Sequence, residues 1–211
     1  MLDELVKFFV VLLVVVEPLS LLPILAGLTE GSDDAYRRRM SFKAVAISAA
    51  VCVLFAVGGT ALLKLLGISV DAFKIGGGIL LFMLAIEMVF ARESGVRSIT
   101  PGEGEEAHLR VDISVFPLAF PFIAGPGSLA TILLAFGPAT EDPLLFGGLL
   151  VCIALALVCA LLTLYLATPI MKLMGVTGAN VVNRLFGVVL GALAVQYVID
   201  GVRGSLLPPP A

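Results

Sequence analysis

This chain of 211 residues predicts an all-α, polytopic membrane protein: six transmembrane helices arranged as two inverted three-helix repeats, with the first and fourth helices broken. Three observations lead there. Hydrophobic residues make up 60% of the chain and charged residues 14%, against roughly 45–50% and 25% in soluble domains, so polar side chains are too few to cover a globule in water. Six windows are long and apolar enough to cross a bilayer. A short proline- and serine-containing motif recurs at a fixed offset of 108 residues.

A membrane helix needs about 20 mostly apolar residues, because each adds about 1.5 Å and bare backbone groups cannot face hydrocarbon. The windows are residues 5–28, 41–66, 72–91, 113–136, 144–167 and 179–201. The first is read as a helix and not as a signal peptide, since Asp3 and Glu4 stand where positive charge belongs and no small-residue cleavage site follows. Connectors are short except for 92–112, where Gly102, Glu103, Gly104, Glu105 and Glu106 read as a mobile loop. The chain therefore divides into a first repeat over 1–91, a cytoplasmic loop over 92–112 and a second repeat over 113–211. Sorting Lys and Arg to the nearer helix end puts Lys7, Lys64, Lys74 and Arg203 on one side and the other nine of 13 on the opposite side. Positively charged loops stay in the cytoplasm, which places both termini outside.

Composition also removes function classes. A net charge of -3 excludes a basic nucleic-acid binder. Cys52, Cys152 and Cys159 lie in apolar runs and suggest neither a disulfide nor a redox pair. His108 is the only histidine, so no metal site and no Ser/His/Asp machinery is expected, and neither an enzyme nor a cofactor.

The repeat is carried by a few matches. Glu17-Pro18-Leu19-Ser20-Leu21-Leu22-Pro23-Ile24-Leu25 lies over Gly125-Pro126-Gly127-Ser128-Leu129-Ala130-Thr131-Ile132-Leu133, and Lys64-Leu65-Leu66-Gly67 over Lys172-Leu173-Met174-Gly175, both at 108. Gly78, Ala85 and Glu87 meet Gly187, Ala194 and Gln196 at 109. Three crossings per half reverse the side of entry into the bilayer, so the second half runs upside down relative to the first, an architecture suited to alternating access.

Glu17 and Gly125 fall at the middle of their windows. Pro18, Pro23, Pro117, Pro121 and Pro126 remove amide donors, and Gly125 and Gly127 loosen the chain, so helix breaks are expected there. Plain proline kinks are the alternative. A half-helix starting after Pro18 or Pro126 would aim free N–H groups at an anionic group, and Ser20, Ser128 and Thr131 would line the same place. Either serine can instead bond back to its own helix. An acid at mid-bilayer is protonated, paired or wet, which gives Glu17 a proton- or cation-coupling role; a neutral Glu17 bonding a freed carbonyl is the structural alternative. Glu87, Gln196, Arg184 and Asn183 are secondary candidates for structural or gating roles near the membrane faces, with Arg184 either paired to Glu87 or snorkelling. Gly76-Gly77-Gly78 lacks the surroundings of a phosphate loop and fits close helix packing.

These residues resemble the MarC/SnatA family of integral membrane proteins. Glu17-Pro18-Leu19-Ser20-Leu21-Leu22-Pro23 is similar to its opening Asp-Pro-x-Gly-x-x-Pro. The segment from Phe116-Pro117 through Pro121 to Ala124-Gly125-Pro126-Gly127 resembles its Pro-rich stretch ending in Ala-Gly-Pro-Gly, and Arg184-Leu185-Phe186-Gly187 its Arg-Leu-x-Gly. The chain departs in having Glu17 for Asp and Ser20 for Gly. The resemblance implies transport of small neutral amino acids such as glycine and alanine, coupled to a proton, in a cell (inner) membrane with lipid as the surrounding solvent. Half-helix N-termini and Glu17 would supply the two poles a zwitterion needs. An exporter of small solutes or drugs shares the architecture and is the competing expectation.

Overall fold

The computed structural model describes residues 1–29, 31–90, 112–139 and 142–206. The expected loop over 92–112 lies outside the described residues except for Asp112, as does His108. Among the described residues, eight helices follow one another, and their ends are set by local chemistry.

Helix α1 (Leu2–Val16) opens with Asp3 and Glu4, whose charges oppose the positive end of the helix dipole. It stops at Glu17. Helix α2 (Leu21–Leu28) ends at Thr29, where Arg37 donates from Nε to the Thr29 hydroxyl at 3.0 Å and from Nη2 to its carbonyl at 3.3 Å. A cation at a helix C-terminus is the favourable sign. Helix α3 (Asp34–Leu65) begins with Asp33 accepting from the Tyr36 amide at 2.8 Å. It ends in a glycine-closed turn: Gly67 takes φ 68°, and the Ile68 amide reaches back to Leu63 O at 2.9 Å. Ser69 caps α4 (Val70–Phe90) through the Ala72 amide.

The fourth window is not a plain helix. In α5 (Ser114–Ile123) the residues before Pro117 and Pro121, Phe116 and Phe120, are extended, as the proline ring requires of its predecessor, and both X-Pro bonds are cis. Its hydrogen bonds span five residues, from the Leu118 amide to Ile113 O and from the Ala124 amide to Ala119 O. Helix α6 (Pro126–Ala139) starts with proline at its first position and is bent 55° from α5. Asp142 caps α7 (Pro143–Tyr165) by accepting from the Leu144 and Leu145 amides. Helix α8 (Ala167–Leu206) is interrupted at Gly175, φ 62° and ψ 178°, before an apolar stretch over Asn180–Leu206.

Helices α3, α4, α7 and the Asn180–Leu206 part of α8 are each long and apolar enough to cross a membrane, and the bent α5–α6 pair makes a fifth crossing if counted as one span. The expected sixth, over 5–28, is divided between α1, 15 residues, and α2, 8 residues, neither of spanning length alone. At about 1.5 Å per residue α1 reaches about 22 Å, short of a hydrocarbon core of about 30 Å.

Two apolar clusters hold the helices together. One gathers α1, α2, α3, α5, α6 and α7 around Phe136, which meets Phe8 and Phe146 edge-on at centroid distances of 6.1 and 5.0 Å. The other joins α4 and α8 to Val11, Val14 and Val15 of α1. Helices α4 and α8 run antiparallel at close quarters, which only glycine permits: a Cβ on Gly78 would lie 2.8 Å from Ala194 O and from Val198 Cγ2, and one on Gly187 would lie 3.1 Å from Ala85 O and 3.0 Å from Val89 Cγ2. The two contacts are reciprocal. Gly78, Ala85 and Val89 stand 109 residues before Gly187, Ala194 and Val198.

Candidate functional site

At the first break, Glu17 closes α1 in the left-handed conformation, φ 49° and ψ 61°, with its amide donating to Leu13 O at 3.2 Å. It is the one non-glycine residue with positive φ among those described. Pro18 explains why: its ring disfavours the right-handed helical region for the residue before it, so the chain must leave the helix at Glu17. A turn over Pro18 and Leu19 follows, closed by the Ser20 amide on Glu17 O at 3.0 Å, so the second half-helix starts at Leu21 and not directly after Pro18. The Glu17 side chain is buried, 8% exposed, in a segment otherwise apolar; Pro18 and Ser20 are half-buried.

The second break is built from tight backbone contact. A Cβ on Gly125 would fall 2.1 Å from Pro121 O, so no other residue fits without moving the chain. Its polar groups are turned inward. Ser128 donates to Ile123 O at 2.9 Å, across the break, and Thr131 donates to Gly127 O at 2.9 Å; both are fully buried. Ser48 of α3 donates to Ala44 O at 2.8 Å and reaches Ala119 O at 3.4 Å, adding a contact to a carbonyl of the irregular segment.

The two breaks meet. Gly127, at the start of α6, faces Val15, two residues before Glu17: a Cβ there would be 3.1 Å from Val15 Cγ1 and 3.2 Å from Leu81 Cδ2. A cavity lies beside each. One of about 270 Å³ sits between α1, α7 and α8 and contains Glu17 and Pro18 together with Cys159, Thr163 and Phe186. The other, about 520 Å³, sits between α3, α4 and α6 against Pro126, and its lining side chains are all apolar, among them Phe55, Leu129 and Leu133. Of the residues that the motifs singled out, Glu17, Pro18 and Pro126 line cavities, while Ser128 and Thr131 are spent on backbone.

Sequence reasoning passed over Thr163, Cys159 and Phe186. The signal present was the repeat itself: Thr163 stands 108 residues after Phe55, and Phe186 stands 109 after Gly77, both lining the opposite cavity. Gly77 and Gly78 serve close packing, Gly77 facing Ala130 Cβ at 3.3 Å.

The peripheral candidates are dispersed. Glu87 is half-buried on α4 and Arg184 is exposed. Gln196 is exposed and donates to Asp200 on the next turn at 2.7 Å. The side chain of Asn183 lies outside the described residues. A stronger polar tie sits where α3 and α5 begin: Lys43 Nζ meets Asp112 Oδ2 at 2.7 Å, while Asp112 Oδ1 accepts from the Ser114 hydroxyl and amide. The Lys43 hydrogen bond, followed by those of Ser114, lowers the Asp112 carboxyl to about 2.

The model of the MarC family, described as an integral membrane protein, matches residues 2–206. The chain belongs to the MarC family. A UPF0056 membrane protein of Methanocaldococcus jannaschii is 35% identical over 195 residues, 92% of this chain and 93% of the relative. YvbG of Bacillus subtilis, also a UPF0056 membrane protein, is 33% identical over 205 residues, 97% and 96% of the two chains. The inner membrane protein YhgN of Escherichia coli is 31% identical over 201 residues, 95% and 97%. No solved structure matches. Family membership and the apolar helices agree that this MarC-family chain is an integral membrane protein.

Proposed function

We propose that the chain is a secondary transporter of small neutral amino acids such as glycine and alanine, coupled to a proton at Glu17 and working by alternating access around the two breaks. The observation that carries this reading is the buried Glu17 at a helix interruption, beside a cavity and next to the start of α6. An acid in such a place costs several kcal/mol if ionised and unmatched, roughly 3 kcal/mol or more, so its protonation state responds to what enters the cavity. A proton exchanged there against a solute couples the two.

In this reading α1 and α2 form one broken crossing, the termini lie outside, and the halves 1–91 and 113–211 are inverted copies. The reciprocal glycine contacts of α4 and α8 support an internal two-fold relation, because each copy's third helix presents the same residues to the other. The cavities support it as well: Pro18, Thr163 and Phe186 of one occupy the repeat positions of Pro126, Phe55 and Gly77 of the other. Arg37, Arg38, Arg39 and Lys43 at the start of α3 mark the cytoplasmic face. The remaining proposed ligands are backbone groups and side chains at the breaks: Ser20, Gly125, Gly127, Ser128 and Thr131.

The test is uptake of labelled glycine and alanine into proteoliposomes under a pH gradient. Glu17→Gln should abolish proton-driven accumulation while leaving counterflow measurable; undiminished accumulation removes the coupling role. The wholly apolar 520 Å³ cavity beside Pro126 favours a second reading, an exporter of small apolar solutes or drugs. Drug counterflow without amino-acid counterflow selects it.

A further inference from the structure

We propose that Thr163 of α7 and Glu17 together form an ammonium-binding subsite, so that the cavity they share takes a small solute by its protonated primary amine. This rests on the reading of Glu17 as facing substrate.

The chemistry follows from what each group has left to offer. A threonine hydroxyl carries one proton and two lone pairs. Thr163 spends its proton on Cys159 O at 2.8 Å, one turn back along α7, so toward the cavity it presents acceptor lone pairs only. An ionised Glu17 likewise accepts and does not donate. The remaining wall is apolar, with Val10, Leu13, Val14, Leu19 and Phe186. An –NH3⁺ group has three donors and no acceptor, and it matches a carboxylate and a committed hydroxyl. A carboxylate or phosphate placed there would meet like charge and no donor from either group. About 270 Å³ of cavity within this apolar frame suits a short solute. The arrangement occurs once, since the repeat positions of Glu17 and Thr163 hold Gly125 and Phe55.

Cys159 lines the same cavity and is partly exposed, while Cys52 and Cys152 are buried, so the protein carries its own reporter. The full chain in proteoliposomes is exposed to a small thiosulfonate reagent, and modification of Cys159 is followed by mass spectrometry with glycine, methylammonium or acetate present. Glycine and methylammonium should slow modification, and acetate should not. Thr163→Val should weaken the protecting affinity about tenfold, the loss of one charge-assisted hydrogen bond, while Thr163→Ser stays close to wild type. Protection by acetate equal to that by methylammonium overturns the proposal without any variant, and so does unchanged affinity in a folded Thr163→Val. The two readings fail separately. Unchanged protection in Thr163→Val with intact amino-acid uptake removes the subsite alone, whereas Thr163-dependent protection by methylammonium without any glycine or alanine uptake removes the transport reading alone.

Discussion

The two breaks occupy equivalent places in a repeated sequence and solve the same problem by opposite means. At the first, the chain leaves the helix through a charged residue in a left-handed conformation, and that residue's side chain lines a cavity. At the second, glycine lets the backbone fold against itself at Pro121, and hydroxyl groups from Ser128 and Ser48 reach the carbonyls nearby. One break keeps an ionisable group available to the cavity. The other is self-satisfied and works as a rigid joint. The difference teaches that duplication fixed where the chain must interrupt, while the residue at each interruption determined whether that place became chemical or mechanical.

The sharpest way to break this comparison is to add a side chain to the rigid joint. Gly125→Ala sets a methyl carbon 2.1 Å from a backbone oxygen that cannot move freely. We expect a loss of about 3 kcal/mol, seen as a large fall in the thermal midpoint in detergent or as no folded protein at all. A wild-type midpoint would show the joint to be slack. Removing the hydrogen bond across the same break is milder. Ser128→Ala leaves Ile123 O buried without that donor, at a cost of about 1–3 kcal/mol, and should lower the midpoint by less than Gly125→Ala does. An unchanged midpoint would mean that the joint does not depend on its hydroxyl.

The smallest effect is expected at the outer tie of the second break. Asp112 titrates at about 2 in the folded protein, below the ordinary carboxylate value of about 3.9. A lowered carboxyl contributes stability that is fully present above about pH 4 and is lost as pH falls through about 2. Because Lys43 and Asp112 are both more than a third exposed, water screens the pair and the contribution is small. Unfolding followed from pH 5 to pH 2 should show a shallow loss of stability that Asp112→Asn removes; an identical profile in the variant would mean that the tie is not what titrates.

Much of this was legible in the chain. Proline forbids continuation, and Glu17-Pro18 and Gly125-Pro126 therefore announced both interruptions, together with their depth in apolar windows. The restart at Leu21 was not, because whether a turn closes through the Ser20 amide depends on the backbone path after Pro18. Nor was the irregular α5 fully foreseen: Pro117 and Pro121 argued for breaks, but the wide five-residue hydrogen bonding reflects how neighbouring helices accommodate the freed groups. Residue type also failed to separate Ser128 and Thr131, which are turned to their own backbone, from Thr163, which lines the Glu17 cavity. A hydroxyl on a helix has the same local options everywhere, and only its neighbours decide which face it serves.

By itself, then, the sequence determined the apolar spans, the repeat, the interruptions and the family, since these follow from hydropathy, proline sterics and glycine freedom along a single chain. Tertiary structure alone decided that α4 and α8 close on each other glycine to glycine, that the start of α6 abuts Val15, and that α7 and α8 complete the walls around Glu17. Those are contacts between residues more than 100 positions apart, and they arise from helix surfaces fitting in three dimensions, which no local pattern encodes.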